Sequence, residues 1–292
     1  MTAKILITGA TGTVGSAVVE QMADRGIRAR LMVRSPDKVG ELRLAGAEVV
    51  EGDLGDRETL EPAMAGIEKL LLIAPAHARQ RELHSNAIEA AAAAGVRHVV
   101  RLSVLGADPQ SMLKLARWHG ESEQKLEDSG VAWTHVRPHS YMQNFLSYLP
   151  TIHAQGVFYG CSKDGKLAMI DARDVATVCL EALTGGKHEG QTYSITGPEA
   201  LSMDEAAEIL SDECGEPIQY VDLTQQQYEE GMKTAGMPEW LARDLAWMGA
   251  NLTAKGRSAE VLPTVREVAG REPLKFTDFA WYYASLFRKP AA

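Results

Sequence analysis

Short apolar runs alternate with amphipathic stretches through the first half of the chain. Some runs, such as KLLLIAP at 69–75, are nearly all apolar, which is typical of strands buried on both faces of a parallel sheet. Between the runs, apolar residues recur at helical spacing. Strands are therefore predicted, with helices between them, at 5–7, 29–34, 47–53, 69–75, 98–104 and 131–138. Right-handed crossovers would join them into an α/β fold with a doubly wound, parallel Rossmann sheet.

The alternation breaks after Pro138. The segment 139–156 is amphipathic and aromatic, and 164–185 contains a short strand followed by a helix. A further strand is predicted at 191–197, and from Leu201 onwards the pattern is mainly helical.

This second half divides the chain into two parts. The helix and strand between 171 and 196 are expected to return to the main sheet, so the remaining lobe is discontinuous. We predict a Rossmann domain of residues 1–137 plus 165–197, and a smaller, mainly helical substrate lobe of residues 138–164 plus 198–292.

A glycine-rich turn follows the first apolar run. Gly9, Gly12 and Gly15 come after Thr8 at three-residue spacing, and a helical pattern follows. The first glycine permits a tight turn, the second lets the backbone approach phosphates, and the third allows close packing of helix on strand. In this strand–turn–helix context the motif predicts a dinucleotide pyrophosphate at the helix N-terminus. The same site would include Thr11, Thr13 and Val14. The alternative is an ordinary glycine-rich turn between strand and helix.

The residue after the second strand bears on the choice of cofactor. Sites for NAD place an acidic side chain there, on the ribose 2′-hydroxyl, whereas sites for NADP use an Arg nearby for the 2′-phosphate. This chain has Arg34 at that point and Lys38 one helical turn further on. Thr11 is a further donor for this phosphate. NADPH is therefore predicted over NADH; the alternative is that Arg34 is only a solvated surface residue.

Other candidate contacts lie where strands end, since ligands of such sheets bind at the carboxyl ends of the strands. Ala74 and Pro75 end the fourth strand, and Ser103 ends the fifth as a polar contact for nicotinamide or substrate. An aromatic and methionine-containing segment begins just after the sixth strand. It predicts a substrate pocket walled by Tyr141, Met142, Asn144 and Phe145, although such a cluster is as often core.

Composition and charge exclude several other classes of function. With 292 residues, 45% hydrophobic and 24% charged, the chain is an ordinary globular protein. Its net charge of −9 argues against nucleic acid as a general partner. The three cysteines are widely spaced, no metal-ligand spacing is found, and the longest apolar run is too short for a membrane span. A core strand starting by residue 4 argues against a signal peptide, so we expect a cytoplasmic protein with reduced thiols.

Several motifs along the chain resemble those of the NmrA-like, atypical short-chain dehydrogenases/reductases. They are GATGxxG, VRSP, EGDL, RPHSYMQNFL, IDARDVA and QTYSITGPEALS, and the resemblance covers nearly the whole chain. The stretch RWHGESEQKLEDSGVAWTHVRPHSYMQNFL is especially similar to the flavin-independent NAD(P)H azoreductases of this family, a group that includes triphenylmethane-dye reductases and NADPH:quinone oxidoreductases. The resemblance implies that Asp53 and Leu54 contact adenine and that Pro138 packs near the nicotinamide carboxamide.

The catalytic pair of the wider family is absent at its expected place. Short-chain reductases use Tyr-x-x-x-Lys after the fifth strand, where Tyr protonates the substrate oxygen and Lys holds the nicotinamide ribose. Aligned on that pattern, this chain has Leu115 and His119. A literal match at Tyr159 and Lys163 lies in a loop-like stretch far past the sixth strand and is interpreted as coincidence.

This departure narrows the chemistry. Without the Tyr acid, reduction of simple ketones loses a factor of about 10²–10⁴. Hydride transfer to an extended, electron-poor π system depends less on a dedicated acid. His119, the first catalytic candidate, would hold the ribose or donate the proton, or else be a packed helix histidine. Tyr141 is the second candidate, and Glu123, four residues after His119, is expected to be structural.

The sequence thus predicts an NADPH-dependent oxidoreductase that passes hydride to an azo compound or quinone without flavin or metal. The main alternative is an NADP(H)-binding redox sensor without turnover, because a missing Tyr fits that class equally. An epimerase or lyase that uses bound cofactor ranks last, since no acid–base pair is evident. The partner is a conjugated small molecule rather than nucleic acid or a membrane, and the pattern fits a monomer and a homodimer alike.

Overall fold

The computed structural model describes residues 4–35 and 47–290, and their largest element is a parallel sheet. The strands are β1 Ile5–Ile7, β2 Arg30–Val33, β3 Glu48–Glu51, β4 Lys69–Leu72, β5 His98–Leu102, β6 Ala132–Pro138, β7 Val157–Gly160, β8 Gln191–Ile195 and β9 Gln219–Asp222. Seven of them form one sheet in the order β3-β2-β1-β4-β5-β6-β8, and every neighbouring pair is parallel. The strand order reverses between β1 and β4, which is the switch point where ligands of such sheets bind.

Helices connect the strands. They are α1 Thr13–Asp24, α2 Arg57–Met64, α3 Gln80–Ala93, α4 Lys114–Glu127, α5 Leu149–Gln155, α6 Ala172–Thr184, α7 Met203–Cys214, α8 Gln225–Thr234, α9 Glu239–Asn251, α10 Thr264–Ala269 and α11 Phe276–Phe287, with short 3-10 helices at Met142–Tyr148 and Thr253–Lys255. Among those beside the sheet, α1 packs against α6, whereas α3 packs against α2 and α4. The predicted doubly wound Rossmann sheet is confirmed.

The chain forms two compact units. The first comprises Met1–Pro138 and Ala172–Ile195, and the second His139–Asp171 and Thr196–Ala292. The first unit takes up the chain again at Ala172, seven residues after the predicted boundary at 165. The reason lies in the segment before Ala172, whose backbone bonds to residues of the second unit. Leu167 pairs with Leu201, and the N–H of Ala168 donates to the carbonyl of Ser258.

Two details of the second unit differ from the sequence pattern. The short strand predicted within 164–185 is reduced to isolated bridges, because Leu167 and Ile170 pair with different segments in turn. A two-stranded parallel sheet of β7 and β9 was not predicted, and its strands are only four residues long. The helix predicted after the second strand falls mostly on residues 36–46, which lie outside the described residues.

Each unit has its own apolar core. In the first, Leu6 of β1 and Leu70 of β4 are fully buried together with side chains of α2 and α3. In the second, Phe145, Phe158 and Phe276 meet at ring-centroid distances of 5.0–5.2 Å around Phe145. Within residues 4–35 and 47–290, no helix has both the length and the apolar character that crossing a membrane requires.

The approach of α1 to the glycine turn is tighter than any side chain permits. Gly9 has φ +62°, a conformation that favours glycine. A Cβ atom on Gly15 would lie 2.1 Å from the carbonyl oxygen of Gly9, which is backbone and cannot turn aside. Because Gly15 has no side chain, the first turn of α1 can pack directly against the backbone that follows β1.

We expect Gly15→Ala to destabilise the protein by about 1–3 kcal/mol, the usual cost of overpacking, because α1 must move off the turn. Urea denaturation measures the change. The matched control is Gly231→Ala within α8, where an added Cβ meets nothing within 4 Å. That variant should be stabilised by about 0.5–1 kcal/mol, since alanine is the better helix former. Equal effects of the two substitutions would contradict this interpretation of the turn.

Candidate functional site

The glycine turn joins two strands at the switch point. The hydroxyl of Thr8 accepts a hydrogen bond from the N–H of Ile73 and donates to the carbonyl of the same residue, both at 2.8 Å. This exchange ties the end of β1 to the end of β4. The N–H of Gly12 donates to the carbonyl of Gly9 at 3.0 Å, which closes the turn.

The N-terminus of α1 has no side-chain cap. Gly12 is the N-cap residue, and the first turn carries no acidic side chain. Thr11, Gly12 and Thr13 are exposed, whereas Val14 is buried and anchors the helix. An uncapped N-terminus leaves backbone N–H groups and the positive end of the helix dipole directed at the turn, which suits a pyrophosphate.

The residues expected to contact the adenosine half of a dinucleotide follow β2 and β3. Arg34 comes directly after β2 and is exposed. Lys38 lies outside the described residues. Asp53 is exposed, and its carboxylate accepts the N–H of Gly55 at 2.7 Å, which shapes the turn after β3. Leu54 is buried, and its carbonyl accepts a hydrogen bond from Asn86 at 2.9 Å.

The strand ends near the switch point carry the remaining candidates. Ala74 is half-buried and Pro75 is exposed, just after β4. Ser103 is only 2% exposed, and its hydroxyl has no hydrogen-bond partner among the described residues. A buried hydroxyl without a partner is unfavourable unless a ligand or water completes it, so Ser103 fits a bound group. Pro138 is buried at the end of β6, where its carbonyl accepts the N–H of Leu105 at 2.9 Å.

His119 lies on α4 beside a buried arginine. Its Nδ1 is 3.1 Å from Nη2 of Arg101, a residue of β5 with no exposed surface. The same Nη2 lies 3.4 Å from Nδ1 of His84 on α3. The two imidazole rings have centroids 5.8 Å apart. Sequence analysis did not find Arg101 or His84, and the one signal for Arg101 was a charged residue inside the apolar run of β5.

Glu123 completes this buried group. Both of its carboxylate oxygens accept hydrogen bonds from Arg137 of β6, one of them at 3.0 Å from Nε. One oxygen also lies 3.7 Å from Nη1 of Arg101. Glu123 therefore makes no hydrogen bond to His119, although the two residues are four apart on the same helix. Nor does it pair with nearby Lys125, whose ammonium binds Glu89. Its predicted structural role is consistent with these contacts.

Burial sets the protonation of this group. Desolvation first, and the cation of Arg101 second, hold the pKa of His119 well below its ordinary value. The pKa of His84 is lowered in the same way, by burial, Arg101 and His119. Burial lowers the pKa of Arg101 to about 10, which leaves it charged at neutral pH. His119 is thus a neutral imidazole at neutral pH.

The expected place of the Tyr-x-x-x-Lys pair and its one literal match in the sequence have different surroundings. Leu115 is half-buried on the first turn of α4, at the Tyr position. Tyr159 lies in β7, where its hydroxyl donates to Gln155 at 3.0 Å, and Lys163 follows in the next turn with φ 51°. Tyr159 and Lys163 do not share a helix face, which the catalytic pair requires.

The predicted pocket segment is partly core. Met142 is 1% and Phe145 3% exposed, and both belong to the aromatic core of the second unit. Tyr141 is half-buried and Asn144 is exposed, with its amide donating to Ser140 at 3.1 Å. This burial gives Met142 and Phe145 a packing role, whereas Tyr141 and Asn144 keep accessible surface.

The sheet, its glycine turn and the orphaned Ser103 define a dinucleotide-binding α/β protein. The profile of the NAD(P)H-binding family matches residues 9–185. The chain belongs to this family and is an NAD(P)H-dependent reductase, and its resemblance to the NmrA-like reductases is confirmed.

Three proteins illustrate the relationship. The chain is 40% identical to the NAD(P)H azoreductase of Xenophilus azovorans over 97% of this chain and 99% of the relative. It is 37% identical to the (4-alkanoyl-5-oxo-2,5-dihydrofuran-3-yl)methyl phosphate reductase of Streptomyces griseus, over 97% and 99%. The NADPH complex of the Escherichia coli quinone oxidoreductase QOR2 has a similar structure, with a TM-score of 0.84, 32% identity, and coverage of 95% of this chain and 99% of that one.

The buried histidines predict a loss of stability in acid. Burial, opposed by Glu123 and reinforced by Arg101 and Arg137, lowers the pKa of His135 to about 4. Glu127 accepts from its Nε2 at 3.2 Å but is 42% exposed, so solvent screens its charge. Below an unfolded-state pKa of about 6.5 the unfolded chain binds the proton first, and stability falls as the pH drops towards 4.

We expect the free energy of unfolding, measured in urea at pH 7 and pH 5, to decrease less in His135→Gln than in the natural chain, by roughly 2 kcal/mol. The control is His77→Gln, which removes a histidine from an exposed position instead of a buried one. An unchanged decrease in His135→Gln would show that His135 is not the group that titrates.

Proposed function

We propose that the chain transfers hydride from NADPH to a conjugated, electron-poor acceptor, an azo compound or a quinone, and that neither flavin nor metal takes part. The observation that carries this proposal is Leu115 at the position of the usual Tyr acid, four residues before the neutral His119. A site with a neutral donor and no dedicated acid suits acceptors that spread the incoming charge over a π system. The azoreductase and quinone oxidoreductase relatives act on such acceptors by name.

The proposed preference for NADPH rests on Arg34. Its side chain is exposed directly after β2, where a 2′-phosphate would be bound. The Asp or Glu that NAD sites carry at the end of this strand is replaced by Arg34 here. The QOR2 structure with 32% identity to this chain contains NADPH. In this proposal the first unit binds the cofactor and the second binds the acceptor.

The residues of the chain would bind and orient the cofactor and the acceptor, and would exclude water from them. The glycine turn and the N-terminus of α1 hold the pyrophosphate, with Asp53 and Leu54 at the adenine and Ala74 and Pro75 along the cofactor's path. When bound, the nicotinamide supplies the hydride from its C4 atom.

At the nicotinamide end, Ser103 and Pro138 would orient the ring, and His119 would donate a hydrogen bond to the ribose. Tyr141 and Asn144 would contact the acceptor, while Met142 and Phe145 keep the wall behind them rigid.

The three cysteines are buried and unpaired, which supports a cytoplasmic, reducing location.

The alternative is a redox sensor that binds NADP(H) without turnover. Leu115 is compatible with it, because a sensor has no use for a substrate acid, but the relatives with 40% and 37% identity over nearly the whole chain are reductases by name. The two functions differ in one observable, which is the oxidation of bound NADPH by an added acceptor.

We expect the purified chain to oxidise NADPH in the presence of quinones or azo dyes, followed by the absorbance of the reduced nicotinamide. Arg34→Ala should raise KM for NADPH about 10- to 100-fold, the range for a lost hydrogen bond to a charged group, and leave KM for NADH nearly unchanged. The change should be in KM rather than kcat, since the 2′-phosphate is remote from the reacting carbon.

The matched control is Arg28→Ala, another exposed arginine of the first unit, which should not change either KM. Equal losses with NADPH and NADH in Arg34→Ala would contradict the role of Arg34. If calorimetry finds tight NADPH binding but no acceptor in the panel is reduced, the sensor replaces the reductase.

A further inference from the structure

Arg101 is a charged residue enclosed in the middle of the parallel sheet. It has no exposed surface, and its neighbours Val99 and Val100 in β5 are fully buried as well. Removing a charge from water is costly, and apolar side chains of similar volume are often neutral or stabilising at such positions. The guanidinium therefore calls for an explanation other than stability.

Charge pairing does not supply that explanation. Among the described residues, the carboxylate beside Arg101 is that of Glu123, at 3.7 Å between Nη1 and Oε1, and Arg137 binds both of its oxygens. Nε and Nη1 of Arg101 make no hydrogen bond within the described residues. Two guanidinium groups thus share one carboxylate, and only Nη2 of Arg101 is directed at specific partners.

The two histidines near Nη2 are not equivalent. Ser122 donates its single hydroxyl hydrogen to the carbonyl of Trp118 at 2.7 Å, so it can only accept from Nδ1 of His84 at 3.1 Å. His84 therefore carries its hydrogen on Nδ1. With a hydrogen there, His84 cannot accept from Arg101, and their separation of 3.4 Å is the longer contact.

His119 is then the acceptor for Arg101. Nη2 lies 3.1 Å from its Nδ1, and a guanidinium has only donors. An Nδ1 that accepts leaves the ring hydrogen on Nε2. Nε2 makes no hydrogen bond to another residue in the ranges 4–35 and 47–290, so its N–H remains available to a ligand.

We propose that Arg101 is a positioning residue, which fixes His119 as the neutral, Nε2-protonated ring and so presents a single N–H donor to the ribose of the nicotinamide cofactor. The ribose contact rests on the proposed function, whereas the choice of tautomer rests on the contacts of Arg101 alone. The lysine of the wider family has an ammonium group that is always a donor. A neutral histidine carries its hydrogen on either ring nitrogen, so a neighbouring group must fix which nitrogen donates.

The groups that face His119 from each packed element support a neutral ring. They are Arg101 from β5 and His84 from α3, with Glu123 of its own helix held by Arg137 of β6. No carboxylate bonds to the imidazole within the described residues. Burial and the adjacent cation both lower the pKa of His119, so the ring does not gain a second hydrogen near neutral pH.

The tautomer can be measured directly by ¹⁵N NMR on the full-length chain with labelled histidines and no cofactor. The chain has eight histidines, and loss of one signal in His119→Gln assigns it. We expect the Nε2–H pattern of a neutral ring, unchanged from pH 8 to pH 5. In Arg101→Met the signal should become a mixture of tautomers and titrate closer to the ordinary pKa of about 6.5. Arg97→Met, at an exposed arginine one residue before β5, should leave the signal unchanged.

Calorimetry with NADPH tests the consequence for binding. Arg101→Met and His119→Gln should each raise Kd about 5- to 10-fold, and the double variant should be no weaker than either one, because both remove the same donor. Arg101→Lys retains a cation and should keep the Nε2–H pattern. Arg97→Met should bind NADPH as the natural chain does.

An Nδ1–H pattern in the natural chain would overturn the proposal, and so would an unchanged His119 signal in a folded Arg101→Met. Additive losses of NADPH binding in the double variant would overturn the link to the cofactor. If Arg101→Met does not fold, the His119 tautomer in the natural chain and in Arg101→Lys still tests the proposal, since both should show the Nε2–H pattern. The NMR result is independent of turnover, so a chain that reduces no acceptor would remove the proposed reductase and leave the assignment of Arg101 standing.

Discussion

The enclosed guanidinium of Arg101 is the constraint on which the candidate site depends. A buried cation is costly unless polar groups face it, and α4 provides His119 and Glu123 for Arg101. These partners are side chains that would otherwise be apolar in such a position. The result is a polar group whose members hold each other in one arrangement, next to the strand ends where Ser103 and Pro138 lie.

The site combines rigid backbone with neutral donors. Thr8 and the glycines fix the turn at the end of β1 without using any charged side chain. His119 and Ser103 are a neutral ring and a hydroxyl, and both are buried. Neutral, buried donors are able to orient a ligand without transferring a proton to it. This character separates the site from reductases that depend on a Tyr–Lys pair, and it is compatible with acceptors that delocalise charge.

Much of the first unit was predictable because its strands are short apolar runs and its glycine turn has a fixed spacing. The periodicity identified β1 to β6 and the return of β8 to the sheet. The strands β7 and β9 were missed, since each has only four residues, which is too short a run for the sequence pattern to identify a strand. The segment before Ala172 was misread as a strand, because three separate partners take its hydrogen bonds in turn.

The site was predictable only in part. Gly9 and Gly12 are identified by spacing, but the buried group around His119 and Glu123 includes residues of three other elements far apart in sequence. No local pattern connects His84, Arg101 and Arg137. The burial of Met142 and Phe145 could not be predicted either, because an aromatic helix face has the same sequence pattern whether it packs in a core or lines a ligand pocket.

The path of the chain between the two units has a consequence for synthesis. The chain leaves the first unit after Pro138 and returns at Ala172 to form α6 and β8. While the ribosome has not yet released Ile195, β6 is an open edge of the sheet, with unpaired backbone groups along Thr134–Pro138. A nascent chain at this stage exposes a strand that invites pairing with other chains. Once Gln191–Ile195 has been synthesised, β8 can pair along β6 and close this edge.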